Sequence, residues 1–270
     1  MSGFQGAGML LAAKAGPDLP AMKDFLPPQI LFQGTPFAIN RIILIRIVAT
    51  IVLLVVMSVT ASRAKLIPGR WQSAVEWLLD FVRTNVVYQV MGEERGKRFV
   101  PMMTTLFFTI FIFNLCSVIP GANMAATASI TMPLVFALWI FAQYWVAACR
   151  EQGFFKYLRS ELAPAGVPPL LLILIAPIQL IEVLLIRPFS LTVRLFANMV
   201  AGHLLVATCL AFTQYYLVDA QNALLAGAGV LWFVGGMVFT LFEMFVAALQ
   251  AYIFTILGSV YISQSYPELG

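Results

Sequence analysis

The chain has 270 residues, 61% of them hydrophobic and only 10% charged, with a mean hydropathy of +0.92. A soluble domain runs at about 45–50% apolar and about 25% charged, so a soluble enzyme, a disordered tail protein and a nucleic-acid binder are excluded. The net charge of +4 comes from basic residues clustered between apolar runs, the mark of an integral membrane protein. Cys116, Cys149 and Cys209 lie far apart in apolar stretches, and a single histidine excludes a His cluster, so neither a metal site nor a cofactor is expected.

Residues 1–40 contain Pro17, Pro20, Pro27 and Pro28 and lack the basic-then-apolar order of a signal peptide. They read as an extramembrane lead-in to one membrane domain, 41–270. A helix needs about 20 apolar residues to cross a hydrocarbon core of about 30 Å. Residues 41–62 supply the first span, with Arg41 and Arg46 snorkelling towards one surface. In 63–98, Glu76, Asp80 and Arg83 follow helical spacing opposite a stripe of Trp71, Ala74, Trp77, Leu78 and Phe81. That pattern fits an amphipathic helix in the interface plane, with an ordinary solvated loop helix as the alternative.

Residues 99–149 carry no charge and hold one turn signal, Pro120-Gly121-Ala122-Asn123; they read as a hairpin of two spans. A polar linker follows, from Arg150 to about Pro169. Beyond it, 166–218 carries only Glu182, Arg187 and Arg194 as charges, and 222–265 only Glu243. As helices these stretches measure roughly 80 Å and 70 Å, so each folds back on itself or lies steeply tilted. The expected fold is therefore all-α and polytopic. Basic residues crowd 63–98 and 150–165 and are missing from the turns near 120–130 and 213–224. The positive-inside rule then puts the N-terminus outside and the C-terminus in the cytoplasm.

Glu182, Arg194, His203 and Glu243 stand at membrane depth, where an ionisable group marks an ion or proton pathway by default. Arg187, beside Pro188, reads instead as a packing ion pair or a snorkelling side chain. A hairpin turning at Asp219-Ala220-Gln221-Asn222 sets Arg194 opposite Gln250. It also sets His203 within two residues of Glu243, an offset of about 3 Å along a helix. Arg194 and Asn198 share a face, and His203 is rotated to the opposite side. His and Glu can exchange protons near neutral pH, whereas Arg stays charged. The pattern is a proton relay leading to a fixed cation. No carboxylate of this chain lies on the Arg194 face, so its anionic partner is expected on another subunit.

The motif RPFSLTVRLFANMVAGHLL (187–205), with LFEMFVAALQAYIFTILGSVYIS (241–263) and NLCSVIPG (114–121), resembles the subunit a family of F-type ATP synthases. The resemblance implies a stator subunit whose Arg194 faces the c-ring and meets each ring carboxylate as it passes. Two offset half-channels would serve the ring, and the last two helices would form a long tilted hairpin. It implies roles for Gln250 and Asn198 near the arginine, and for His203 and Glu243 as the acid–imidazole pair of the outer half-channel. Glu182 matches the inner half-channel acid, although it lies six residues before Pro188 where the family usually has eight. Ser190, one turn before Arg194, is a second inner candidate unless its hydroxyl bonds back to its own helix. Peripheral stalk b subunits and lipid are the other implied partners, and protons the transported ion. A bacterial plasma membrane is the expected location, with a mitochondrial inner membrane as the alternative. No catalytic nucleotide site is expected on this chain.

Two other classes fit less well. A self-contained transporter commonly shows paired internal repeats, and the two halves here differ. An intramembrane hydrolase needs a nucleophile or metal motif, such as Gly-x-Ser-x-Gly or His-Glu-x-x-His, and the sequence has neither.

Overall fold

A computed structural model describes residues 29–31, 39–119, 127, 129–162, 168–219 and 223–266. Most of the 1–40 lead-in and the turns at 120–123 and 220–222 lie outside the described residues. A short antiparallel pair, β1 (Gln29–Leu31) and β2 (Ile39–Asn40), leads into α1 (Arg41–Ser62). The Asn40 side chain caps that helix by accepting from the Ile43 N–H at 3.1 Å. Only Ile42 and Ala49 of α1 are buried, so most of its apolar surface faces outward, as a lipid-exposed span requires.

Helix α2 (Arg70–Phe81) runs through a π-helical stretch, Val82–Tyr88, into α3 (Gln89–Met91). The apolar stripe of this segment divides in two. Trp71 and Trp77 are 67% and 68% exposed, whereas Val82, Val86 and Val87 are fully buried. Its first half thus offers aromatic rings to the surroundings, and its continuation enters the core. After Gly92, whose φ of 76° suits glycine, come α4 (Glu93–Gly96) and α5 (Val100–Leu115). Helix α6 (Thr131–Glu151) turns at Gly153, also at positive φ, into the short α7 (Phe154–Leu162).

Helix α8 (Pro169–Ile181) continues through a π-helical turn, Glu182–Ile186, into α9 (Arg187–Gln214), and α10 (Ala223–Gln264) returns. Leu171–Val218 is a single rod of 48 residues, about 72 Å long at 1.5 Å per residue. Neither long stretch folds back on itself. A rod of that length exceeds the hydrocarbon core more than twofold, so it must tilt steeply or extend beyond the hydrocarbon.

Among the described residues, Arg41–Ser62, Thr131–Glu151, Leu171–Val218 and Gly227–Gln264 are long and apolar enough to cross a membrane. The fold is all-α and polytopic. Its core joins α5, α6, α9, α10 and the end of the α2 segment through Val86, Met103, Ile110, Ile140, Leu195 and Phe254. Contacts along α9 and α10 fix their register. The Phe212 and Trp232 rings stack at 4.6 Å, and a Cβ on Gly236 would lie 3.4 Å from that of Cys209.

Candidate functional site

The same register carries the hairpin down to Gly202 and Glu243. A Cβ placed on Gly202 would stand 3.4 Å from the Glu243 carboxyl carbon, so glycine there lets α10 bring its acid against the α9 backbone. Glu243 is buried, and its Oε1 has no hydrogen-bond partner among the described residues. It opens on a cavity of 160 Å³ between α5, α9 and α10, whose polar walls are Asn114, Ser117, Asn198 and Glu243. That volume has room for several waters. The polar groups needed to hold them are present. Asn114 is itself held in place: its Oδ1 accepts from the Thr127 hydroxyl at 2.7 Å, and its backbone carbonyl accepts from the Ser117 hydroxyl at 2.8 Å.

Asn198 and Glu243 thus share one chamber, and half-buried His203 follows Gly202 directly. Arg194 lies outside that chamber. It is exposed, with no ion-pair or hydrogen-bond partner among the described residues. Ala197 and Ala201 continue the same exposed ridge at helical spacing. Gln250 is buried and its amide nitrogen has no hydrogen-bond partner among the described residues, so it backs the hairpin without bonding Arg194. Ser190 is half-buried, and no bond from its hydroxyl to its own helix is present.

Glu182 sits apart from the chamber, on the π-helical turn. Pro188 explains why the helix widens there. The Arg187 N–H donates to the Glu182 carbonyl, five residues back. The next such bond would come from residue 188 to Val183, but proline has no N–H. The Tyr144 hydroxyl fills the gap, donating to the Val183 carbonyl at 3.1 Å from α6. Tyr144→Phe should therefore keep the packing and strand one buried carbonyl, at a cost of about 1–3 kcal/mol. A lower thermal unfolding midpoint in detergent is the expected reading; an unchanged midpoint would mean that the carbonyl finds another donor.

Arg187 is held in a buried ion pair. Its Nη2 donates to Glu161 Oε1 of α7 at 2.5 Å, and its Nε lies 3.9 Å from Glu182 Oε1. The guanidinium also stands 5.4 Å from the centre of the Tyr261 ring. The Tyr157 hydroxyl, pushed up to about 12 by burial and by Glu161 beside it, stays protonated in this cluster. Asn114 and Ser117 as chamber walls and Glu161 as a partner are not evident from the sequence alone. The one available signal was polar residues closing an apolar helix.

The sequence model for the ATP synthase A chain family matches residues 42–263, a range that holds every site residue named above and all four spanning helices but for Arg41 and Gln264 at their outer ends. This chain belongs to that family. ATP synthase subunit a of Rhodococcus erythropolis is 39% identical over 243 residues, covering 90% of this chain and 88% of the relative. The subunit a of Streptomyces lividans is 34% identical over 235 residues, covering 85% and 80%. That of Magnetococcus marinus is 38% identical over 202 residues, covering 74% and 73%. Similarity of this extent runs through the hairpin, α5 and α6 alike, so it concerns the whole membrane fold of the family and not one motif.

Proposed function

We propose that Arg194 faces a c-ring and that two offset half-channels in this stator subunit deliver protons to and from the ring carboxylates. Membership of the family makes the chain a multi-pass subunit of the proton-translocating sector of a rotary ATP synthase. The observation that carries the finer reading is the contrast between two charges on one hairpin. Glu243 is buried at a mainly apolar chamber with Asn114, Ser117 and Asn198 in its wall, while Arg194 is exposed on a spanning helix with no counter-charge among the described residues.

A fixed cation at membrane depth is costly without an anionic partner, and a passing carboxylate on a neighbouring helix meets that need. Ala197 and Ala201 beside it leave room for such a helix to approach closely. Protons would reach the ring from outside through His203, Glu243 and Asn198, and leave past Ser190 and Glu182. Arg194, backed by Gln250, separates the two routes. Peripheral stalk b subunits would hold the stator still against the ring. The bacterial relatives favour a bacterial plasma membrane over a mitochondrial one, with the N-terminus outside and the C-terminus in the cytoplasm.

Cysteine probes test this in a background lacking Cys116, Cys149 and Cys209. A small water-soluble thiol reagent added outside sealed right-side-out vesicles should modify a cysteine at position 243. One at position 190 should react only when the inside is opened. Equal labelling of both from one side would replace two half-channels with a single through-pore.

A further inference from the structure

We infer that Glu161 and Arg187 are positioning residues for proton exchange at Glu182: α7 holds the guanidinium that decides whether the Glu182 carboxylate stays available. The inference rests on the reading of Glu182 as the inner acid and adds to it a part played by the α6–α8 connection.

Glu182 and Arg187 are five residues apart, which on an ordinary α-helix would turn them about 140° from each other. The widened turn at Glu182–Ile186 brings them within 3.9 Å instead. Tyr144, through its bond to the Val183 carbonyl, pins that turn to α6. Arg187 is only 8% exposed, and its one short contact is the bond to Glu161 at 2.5 Å. The contact to Glu182 is too long for a hydrogen bond.

One cation therefore stands between two carboxylates, and it is committed to one of them. The Glu161 side chain is 18% exposed, whereas that of Glu182 is 44% exposed and opens away from the protein. Glu161 occupies the guanidinium; Glu182 keeps its oxygens towards the exterior, where protons are exchanged. Arg187 also has a buried Nη1 with no hydrogen-bond partner among the described residues. With Glu161 gone, that fork has two unsatisfied arms and one carboxylate in reach. A bidentate clamp on Glu182 is the favoured outcome. The clamped acid would no longer exchange protons freely.

The test uses the assembled synthase in inverted vesicles, reading ATP-driven acidification against the amount of this chain that co-purifies with the complex. Glu161→Gln should leave assembly normal and slow pumping about tenfold. Glu182→Gln should slow it as well, and the double variant should be no slower than Glu182→Gln alone, because Glu161 acts through that acid. Additive losses, or normal pumping by Glu161→Gln, would overturn the positioning role and leave Glu182 as the inner acid. Normal pumping by Glu182→Gln would instead overturn the reading of Glu182 itself. If Glu161→Gln fails to assemble, the exchange Glu161→Arg with Arg187→Glu restores the tie between α7 and α9 but sets a carboxylate beside Glu182. Recovered assembly without recovered pumping supports the inference. Recovery of both together would reduce the pair to packing.

Discussion

Arg194→Ala is expected to abolish proton-coupled ATP synthesis, by at least about 10²-fold, while the chain stays in the membrane and in the complex. Its side chain is exposed and bonded to nothing among the described residues, so the fold loses little when it is removed. Leu195 beside it is fully buried and keeps α9 in register. The loss is electrostatic. In the proposed mechanism, loss of the permanent charge between the chamber at Glu243 and the acid at Glu182 would leave ring carboxylates without a counter-charge to drive proton release, and would open a direct leak between the routes. Arg194→Lys should not restore synthesis, because a lysine gives up its proton on burial and lacks the planar fork. The measurement is ATP synthesis by energised vesicles, with passive proton leak recorded beside it. A lysine variant that makes ATP at the normal rate would remove Arg194 from this role.

The hairpin was legible because its polar residues are few and its turn is marked. One turn position predicted that His203 and Glu243 meet at one depth, and the contact of Gly202 with the Glu243 carboxyl lies within a residue of that register. The steep length of α8–α9 was visible as an excess of apolar residues. That it forms one rod was not, since periodicity cannot distinguish a long helix from a re-entrant pair. The π-helical turn was hidden for a different reason. It depends on Pro188 removing one donor and on Tyr144, far away in sequence, supplying another. Arg187 could be read as an ion pair, but Glu161 could not be named. Its place is set by Gly153, which turns α7 back towards α8. The chamber walls at the end of α5 were unreadable because Asn114, in its last turn, and Ser117, just beyond it, look like the fraying end of an apolar helix until α9 and α10 close over them.

Replacing Glu243 by Gln, or His203 by Ala, is expected to slow proton flow about 10²-fold, the scale on which a positioned acid–base group contributes. Glu243 gives the chamber its one exchangeable carboxyl, with Asn114, Ser117 and Asn198 able to hold water against it. Gln keeps the shape and the hydrogen-bonding capacity and removes only the proton exchange. Stability should therefore change little in that variant, which separates relay from packing. The double exchange His203→Glu with Glu243→His should recover part of the flow, because a relay needs one group of each kind at one depth and not a fixed order. Gly202 keeps the approach open in either order, since neither exchange adds a Cβ to it. The recovery should stay incomplete: the chamber walls were built round a carboxylate, and an imidazole on α10 presents one acceptor where the carboxylate presents two oxygens. ATP-driven acidification of vesicles carrying each single variant and the exchange gives a double-mutant cycle. A coupling near zero, with the exchange no faster than the product of the single losses, would mean that His203 and Glu243 act on protons separately.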